Sequence, residues 1–186
     1  MSAHPILELL DARKGHFLYE SGHHGDLWLD LDRLFARPAR LAPFARELGG
    51  RLAPHGVEAV CGPLTGGAFV ALMVAGNLER TFAWSERFGD GYRIPDGLRA
   101  ALTGKRVAIV DDVVNAASAT RATLEELRQC GARPVAVGAL LTLGSPAGAL
   151  AEREGLALEA LATLPNTLWA PDECPMCAAG VPLAGG

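Results

Sequence analysis

The sequence predicts an α/β protein, a doubly wound, mainly parallel sheet flanked by helices, with a small N-terminal hood. Three observations predict it. Short continuous apolar runs, Ala59 to Gly62, Val107 to Val110 and residues 134 to 142, read as strands buried on both faces. Helical segments alternate with these runs, as in a sheet whose crossovers cover both sides. Upstream of the alternation, Phe17 to Leu31 has a period of two around the turn Gly22-His23-His24-Gly25, the pattern of a hairpin.

Residues 5 to 13 read as a short helix with Leu7 and Leu10 in its buried stripe. In the hairpin, Leu27, Leu29 and Leu31 fall on one face and Asp26, Trp28, Asp30 and Asp32 on the other. Arg40 to Leu52 is an amphipathic helix closed by Pro54-His55-Gly56. The strand Ala59 to Gly62 runs through a glycine-bearing turn into an apolar helix that reaches Leu78, and residues 81 to 87 form the next strand. Phe88 to Leu98 is polar and carries glycines and a proline, so it is expected to be a mobile excursion. The strand at Val107 is followed by helix 117 to 130, strand 134 to 142, helix 146 to 154 and strand 157 to 163. We expect a single domain, with a hood over residues 1 to 36 plus the C-terminal segment, and a core over residues 37 to 165.

Composition narrows the function. Of 186 residues, 49% are hydrophobic, and a mean hydropathy of +0.19 suits a buried sheet rather than a disordered chain. A net charge of -4 argues against a nucleic-acid partner, which requires a basic field. No apolar stretch approaches the roughly 20 residues of a membrane span, and the first residues lack the pattern of a leader. No membrane partner and a cytoplasmic location are therefore expected. Four cysteines, Cys61, Cys130, Cys174 and Cys177, are too scattered for a disulfide framework, and two of them suit apolar core positions.

The chemistry concentrates at residues 107 to 121. An apolar strand ends in Asp111 and Asp112, and a run of small and hydroxyl residues, Asn115, Ala116, Ala117, Ser118, Ala119 and Thr120, opens a helix. Parallel strands present their chemistry at the carboxyl end. Backbone N–H groups at a helix start with little side-chain bulk can surround a phosphate. The two acids can accept hydrogen bonds from vicinal hydroxyls, so a ribose 5-phosphate satisfies both halves. An ordinary strand-to-helix turn with Asp as an N-cap is the plainer alternative. The turn Leu64, Thr65, Gly66 and Gly67 repeats the strand, small-residue turn, helix arrangement. There too, close packing of helix on strand is an alternative to ligand binding.

Residues 107 to 121 resemble the phosphoribosyl-pyrophosphate (PRPP) signature of type I phosphoribosyltransferases. Gly15 to His24, Val60 to Gly67, Phe82 to Arg87 and Gly104 to Arg106 make the chain most similar to the orotate phosphoribosyltransferase branch. The resemblance covers most of residues 5 to 145. It implies an enzyme that transfers ribose 5-phosphate from PRPP to a nucleobase with release of pyrophosphate, using Mg2+ and acting as a homodimer. Asp111 and Asp112 would hold the ribose, residues 115 to 120 the 5-phosphate, and Leu64 to Gly67 the pyrophosphate. Arg87 and Arg93 would close the site of the neighbouring subunit. Tyr19, Glu20, Ser21, Gly22 and Trp28 would meet the base. A rival from another class is a PRPP- or nucleotide-sensing protein without turnover.

The chain departs from the family in several places. Asn115 and Ala117 replace a usual Thr or Ser and a frequent Gly, the closing loop has neither Lys nor His, and Glu20 stands where a basic residue is usual. The strand after the signature helix ends Leu141-Thr142-Leu143-Gly144, without the arginine that meets the orotate carboxylate. An unpaired buried carboxylate is costly. Orotate is therefore expected to be a poor acceptor, and a neutral or aromatic base stacked on Trp28 or Tyr19 a better one.

Two features suggest metal. His23 and His24 are adjacent, and neighbours on a strand point to opposite faces, so they do not readily share one ion. Cys174-Pro175-Met176-Cys177 has the better spacing, yet no second CxxC exists, and the sequence does not show what would complete four ligands. A tight turn carrying two thiols is the alternative.

Overall fold

The computed structural model describes residues 4–19, 21–89 and 91–184. The hood contains β1 (Asp11–Leu18) and β2 (His24–Asp30), antiparallel, with the two-residue β9 (Leu168–Trp169) on the far side of β2. Its ladder is irregular. Lys14 faces Leu27, and Phe17 faces Gly25. Two residues of β1, Gly15 and His16, therefore stand against Asp26 alone, a β-bulge.

The main sheet has the order β5-β4-β3-β6-β7-β8, built from β3 (Ala59–Pro63), β4 (Thr81–Phe88), β5 (Gly91–Arg93), β6 (Arg106–Val114), β7 (Arg133–Leu143) and β8 (Ala157–Leu164). Every pair is parallel except β4 with β5. The α-helices are α1 (Asp32–Phe35), α2 (Pro38–Leu52), α3 (Gly66–Leu78), α4 (Asp96–Leu102), α5 (Ser118–Gln129), α6 (Pro146–Glu154) and α7 (Pro175–Ala178).

The alternation of side chains on the central strands divides the interior in two. Val60, Ala108 and Val110 pack with Leu41, Leu48 and Leu52 of α2 and Val70 and Val74 of α3. Ala59, Cys61, Val107 and Ile109 pack with Leu102 of α4, Leu124 and Leu127 of α5 and Leu150 of α6. Helices thus cover both faces of a mostly parallel sheet, as the apolar runs predict. From β3 the chain winds outward to β4, then returns to β6 and winds the other way through β7 and β8. The switch point lies between β3 and β6, where ligands bind in open α/β sheets. Among the described residues no helix is long and apolar enough to cross a membrane.

Two expectations are corrected. The short helix is a 3-10 turn over Pro5–Leu9, and residues from Asp11 onward are strand. β1 is an edge strand with Asp11 to Lys14 exposed, so the period-two signal is missing from its first half. The stretch Phe88 to Leu98, expected as a mobile excursion, contains β5 paired back on β4 and then the start of α4. Ile94 is fully buried, and its N–H donates to Glu126 Oε1 at 3.3 Å. Glu126 also pairs with Arg99 of α4. These anchors lie on α5, far along the chain, and local composition does not reveal them.

Candidate active site

A cavity of about 690 Å³ opens at the carboxyl end of β6, beneath the hood. β6 pairs with β3 only as far as Ile109, whereas it pairs with β7 through Val114. Its last residues therefore have one edge free toward the β3–α3 turn. Asp111, Asp112 and the whole turn Asn115, Ala116, Ala117, Ser118, Ala119 and Thr120 line the cavity, with Thr65 and Gly66 opposite them. Gly67 adjoins this wall, since a Cβ on it would collide with the Asp111 carboxylate and come within 2.9 Å of Pro63 Cδ. A Cβ on Gly66 would lie 2.6 Å from Asp112 Cγ. The close approach of the two turns thus requires glycine at both positions. Leu64 follows the end of β3, outside the lining, and its peptide bond to Thr65 is cis.

The phosphate turn is open to a ligand. Ala117, the N-cap of α5, has φ 58° and ψ 20°, and no side chain caps the helix. Its first N–H groups are left for another acceptor. Thr120, 1% exposed, has a hydroxyl without a partner among the described residues. Asp111 Oδ1 accepts from the Asp112 N–H at 3.0 Å. Burial raises the Asp112 pKa above the usual carboxylate value, and the charge of Asp32 adds to the rise against hydrogen bonds from Asp111 and Val113.

The hood forms the opposite wall. Tyr19, Ser21, Leu27 and Trp28 line the cavity. The Tyr19 and Trp28 rings are nearly parallel, 13° apart in plane and 6.4 Å between centroids. The Tyr19 hydroxyl donates to the Leu27 carbonyl, and burial raises its pKa. Gly22 shapes the turn with φ 79° and is not part of the lining. Glu20 lies outside the described residues.

Arg87 and Arg93 are not brought to this cavity. They belong to the β4–β5 hairpin, where Arg87 faces Tyr92, and Arg93 pairs with Asp96 at 2.8 Å and lies over the Phe88 ring. Two residues that the sequence does not single out bear on the site, Arg13 within its lining and Asn166 behind it. Arg13 of β1 stands opposite Trp28 and is the one cationic side chain among the described residues of the lining. Asn166, between β8 and β9, donates to Asn115 Oδ1 at 2.9 Å and reaches Tyr19, while its own Oδ1 is buried without a partner among the described residues. Arg13 sits in the half-strand that lacks a periodic signal, and Asn166 arrives from a loop distant in sequence.

Of the metal candidates, His23 and His24 diverge, His23 standing just before β2 and His24 opening it. The His23 ring lies 3.2 Å from Ser21 Oγ, whereas His24 turns inward to His16. Cys61 and Cys130 are buried core thiols, and burial pushes the Cys61 thiol up to about 12, which makes it inert as a nucleophile.

No family model matches the chain. Curated relatives do. The chain is 31% identical over 178 residues to the orotate phosphoribosyltransferase of Thermotoga maritima, covering 95% of this chain and 92% of that one. It is 28% identical over 187 residues to that of Caldanaerobacter subterraneus, covering 98% and 96%. Among solved structures, orotate phosphoribosyltransferase from Aeropyrum pernix superposes with a TM-score of 0.66 at 27% identity, over 82% of this chain and 88% of that one. Adenine phosphoribosyltransferase from Thermoanaerobacter pseudethanolicus, with a TM-score of 0.63 at 17% identity over 74% and 88%, shares the fold. Relatedness along almost the full length of both chains, joined to a cavity at the switch point of the sheet, makes this protein a member of the orotate phosphoribosyltransferase family and hence a pentosyltransferase.

Proposed function

We propose that the protein transfers ribose 5-phosphate from PRPP to orotate, and that the cavity beneath the hood is where it does so. The observation that carries the reading is the buried Thr120 hydroxyl, unpartnered among the described residues, in an uncapped helix start beside two carboxylates. A buried hydroxyl without a partner costs about 1 to 3 kcal/mol, and a 5-phosphate oxygen at the turn removes that cost. Asp111 and Asp112 accept from the ribose hydroxyls, and Thr65, Gly66 and Gly67 face the pyrophosphate with backbone N–H groups.

The lining also fits a divalent cation. Asp30, Asp32, Asp111 and Asp112 contribute carboxylates against the single guanidinium of Arg13, a surface that would repel a bare pyrophosphate. Asp111 and Asp112 would hold Mg2+ brought in with PRPP, which when bound would supply positive charge to the departing pyrophosphate. The chain's own residues fix the sugar for displacement at its anomeric carbon and exclude water that would hydrolyse PRPP.

Arg13 changes the expectation for the base. The sequence reading expects orotate to be poor because Leu141 to Gly144 lacks arginine. Yet Arg13 enters the cavity beside Trp28 from the hood, and a guanidinium is well suited to pair with a carboxylate. Tyr19 and Trp28 offer ring faces, and Asn166, behind the lining, steadies Asn115 and Tyr19. Arg87 and Arg93, outside the lining of their own cavity, suit closure over a neighbouring subunit in a homodimer.

The test is steady-state turnover of orotate, uracil and adenine with PRPP and Mg2+, in wild type and Arg13→Ala. Orotate is expected to be preferred, with a specificity constant in the ~10^4 to 10^8 per molar per second range of ordinary enzymes, and Arg13→Ala to lose that preference. Efficient turnover of uracil or adenine with orotate inert would overturn the choice of base.

A further inference from the structure

Four side chains with no part in the transferase cavity converge where the hood meets the C-terminal segment. They are His16 of β1, His24 of β2, Cys174 just before α7 and Cys177 within it. One ligand atom from each lies within 4.8 Å of all the others. None of the four lines the cavity. We propose that His16 Nε2, His24 Nδ1, Cys174 Sγ and Cys177 Sγ form a structural zinc site that fastens the C-terminal segment to the hood.

Four of the six ligand separations lie close to those of tetrahedral zinc, and the other two are within 4.8 Å. Zinc bond lengths of about 2.3 Å to sulfur and 2.0 to 2.1 Å to nitrogen imply ligand separations of about 3.3 Å for N···N and 3.6 Å for S···N. Here His16 Nε2 and His24 Nδ1 are 2.9 Å apart. The sulfur-to-nitrogen separations are 3.4 Å for Cys174 to His16, 3.7 Å for Cys177 to His16 and 3.2 Å for Cys177 to His24.

The outer contacts orient a ligand correctly. His16 Nδ1 lies 2.7 Å from the Val181 carbonyl. A carbonyl only accepts, so Nδ1 carries the proton and the Nε2 lone pair faces the cluster, the arrangement of a metal-bound histidine held from behind. The β-bulge at Gly15 and His16 aims this ring at His24, which the sequence pairing alone does not bring alongside it.

Burial and charge point the same way. His16, His24 and Cys174 are 2%, 6% and 2% exposed, so a net charge here would be costly. Two thiolates, two neutral imidazoles and Zn2+ sum to zero. On binding, each thiol gives its proton to solvent and each sulfur donates an electron pair to the ion, with no change of oxidation state. Mixed thiolate and imidazole ligands favour zinc over Mg2+ or Ca2+. Four protein ligands leave no open position, which makes the site structural rather than catalytic. It also accounts for how the C-terminal segment is held, since β9 offers only two residue pairs with β2.

The test is metal analysis of the full chain, purified without chelator under reducing conditions and supplied with ZnCl2, followed by desalting. About one zinc per chain is expected in wild type and in a Cys130→Ser control, and none in Cys174→Ser or Cys177→Ser. Cys177 is exposed, so its serine variant should keep the wild-type circular dichroism spectrum while losing the ion. Chelator should lower the melting temperature of wild type but not of Cys177→Ser. Co2+ added to metal-free protein should give the intense visible bands of tetrahedral coordination with sulfur-to-metal charge transfer. Wild type without zinc under these conditions, zinc retained in both cysteine variants, or a weak octahedral Co2+ spectrum would each overturn the site. So would a Cys174–Cys177 disulfide that survives reductant and blocks uptake.

Discussion

Replacing Asp112 by Asn separates what the carboxylate does for the ligand from what it does to the fold. Asp112 is half-buried at the end of β6, with a pKa raised by desolvation and by Asp32. In the unfolded chain it titrates near the ordinary value of about 3.9. Between that pH and the higher folded value, the folded state holds more protons than the unfolded one, so stability falls as pH rises through the window. Above the window the penalty is fully present, and Asn removes it. Ligand-free Asp112→Asn should therefore melt no lower than wild type at pH 8, with any advantage shrinking as pH falls toward 4. With PRPP and Mg2+ the order reverses. Losing a charged acceptor costs about 1.5 to 3 kcal/mol, which weakens binding by roughly 13- to 160-fold. A PRPP concentration 100 times the wild-type dissociation constant adds about 2.7 kcal/mol to wild type and only about 0.3 to 1.3 kcal/mol to the variant. For a chain of this size that is a rise of about 5 to 11 °C against about 1 to 5 °C. Thermal melts with and without ligand, across pH, read both effects. Equal ligand-induced shifts in the two proteins would remove Asp112 from the site.

Three further outcomes are expected. Gly62→Ala should lower stability by about 1 to 3 kcal/mol, read by denaturant melts, because a Cβ there would lie 2.6 Å from the Gly67 carbonyl carbon and 2.7 Å from Ala71 Cβ. Glu126→Ala should strip the partners of Arg99 and the Ile94 N–H, costing about 1 to 3 kcal/mol, and should speed hydrogen exchange over residues 91 to 102 more than over β6. Mixing an Asp111→Asn/Asp112→Asn double mutant with Arg93→Ala should restore part of the activity through heterodimers; no recovery after confirmed subunit exchange would exclude action of Arg93 across the interface.

The parallel sheet was legible because its strands are buried on both sides and therefore continuously apolar. Val107 to Val110 is the plainest instance, feeding two partitioned cores. The turn 115 to 120 was equally legible, since small residues between a strand and a helix have few other uses. What escaped depends on chain reversal. Arg13 sits in a half-strand whose exposed residues show no alternation. Asn166 touches Asn115 across 51 positions. Cys174 and Cys177 were visible by spacing, yet His16 lies 158 positions from Cys174 and is marked by nothing local. The anchoring of the hairpin after β4 is not legible locally, because Ile94 is buried against a helix that begins two dozen residues later.

The extra residue in β1 also sets the phase of the hood relative to the cavity. On the Leu18 and His24 side of the irregularity, partner numbers sum to 42, and on the Arg13 and Trp28 side to 41. A ladder continued without the bulge would set Lys14 opposite Trp28 and rotate Arg13 to the other face, because a one-residue slip inverts every side chain. The bulge thus acts as a vernier that selects which of two neighbouring cations enters the cavity. It admits the planar guanidinium, able to meet a carboxylate along two parallel hydrogen bonds, and turns the point charge of the ammonium away. Drawing Gly15 into a regular ladder would exchange one cation for the other, whereas deleting it would leave Lys14 opposite Leu27 and Arg13 opposite Trp28, so the cation that reaches the cavity is set by one unpaired residue along an edge strand.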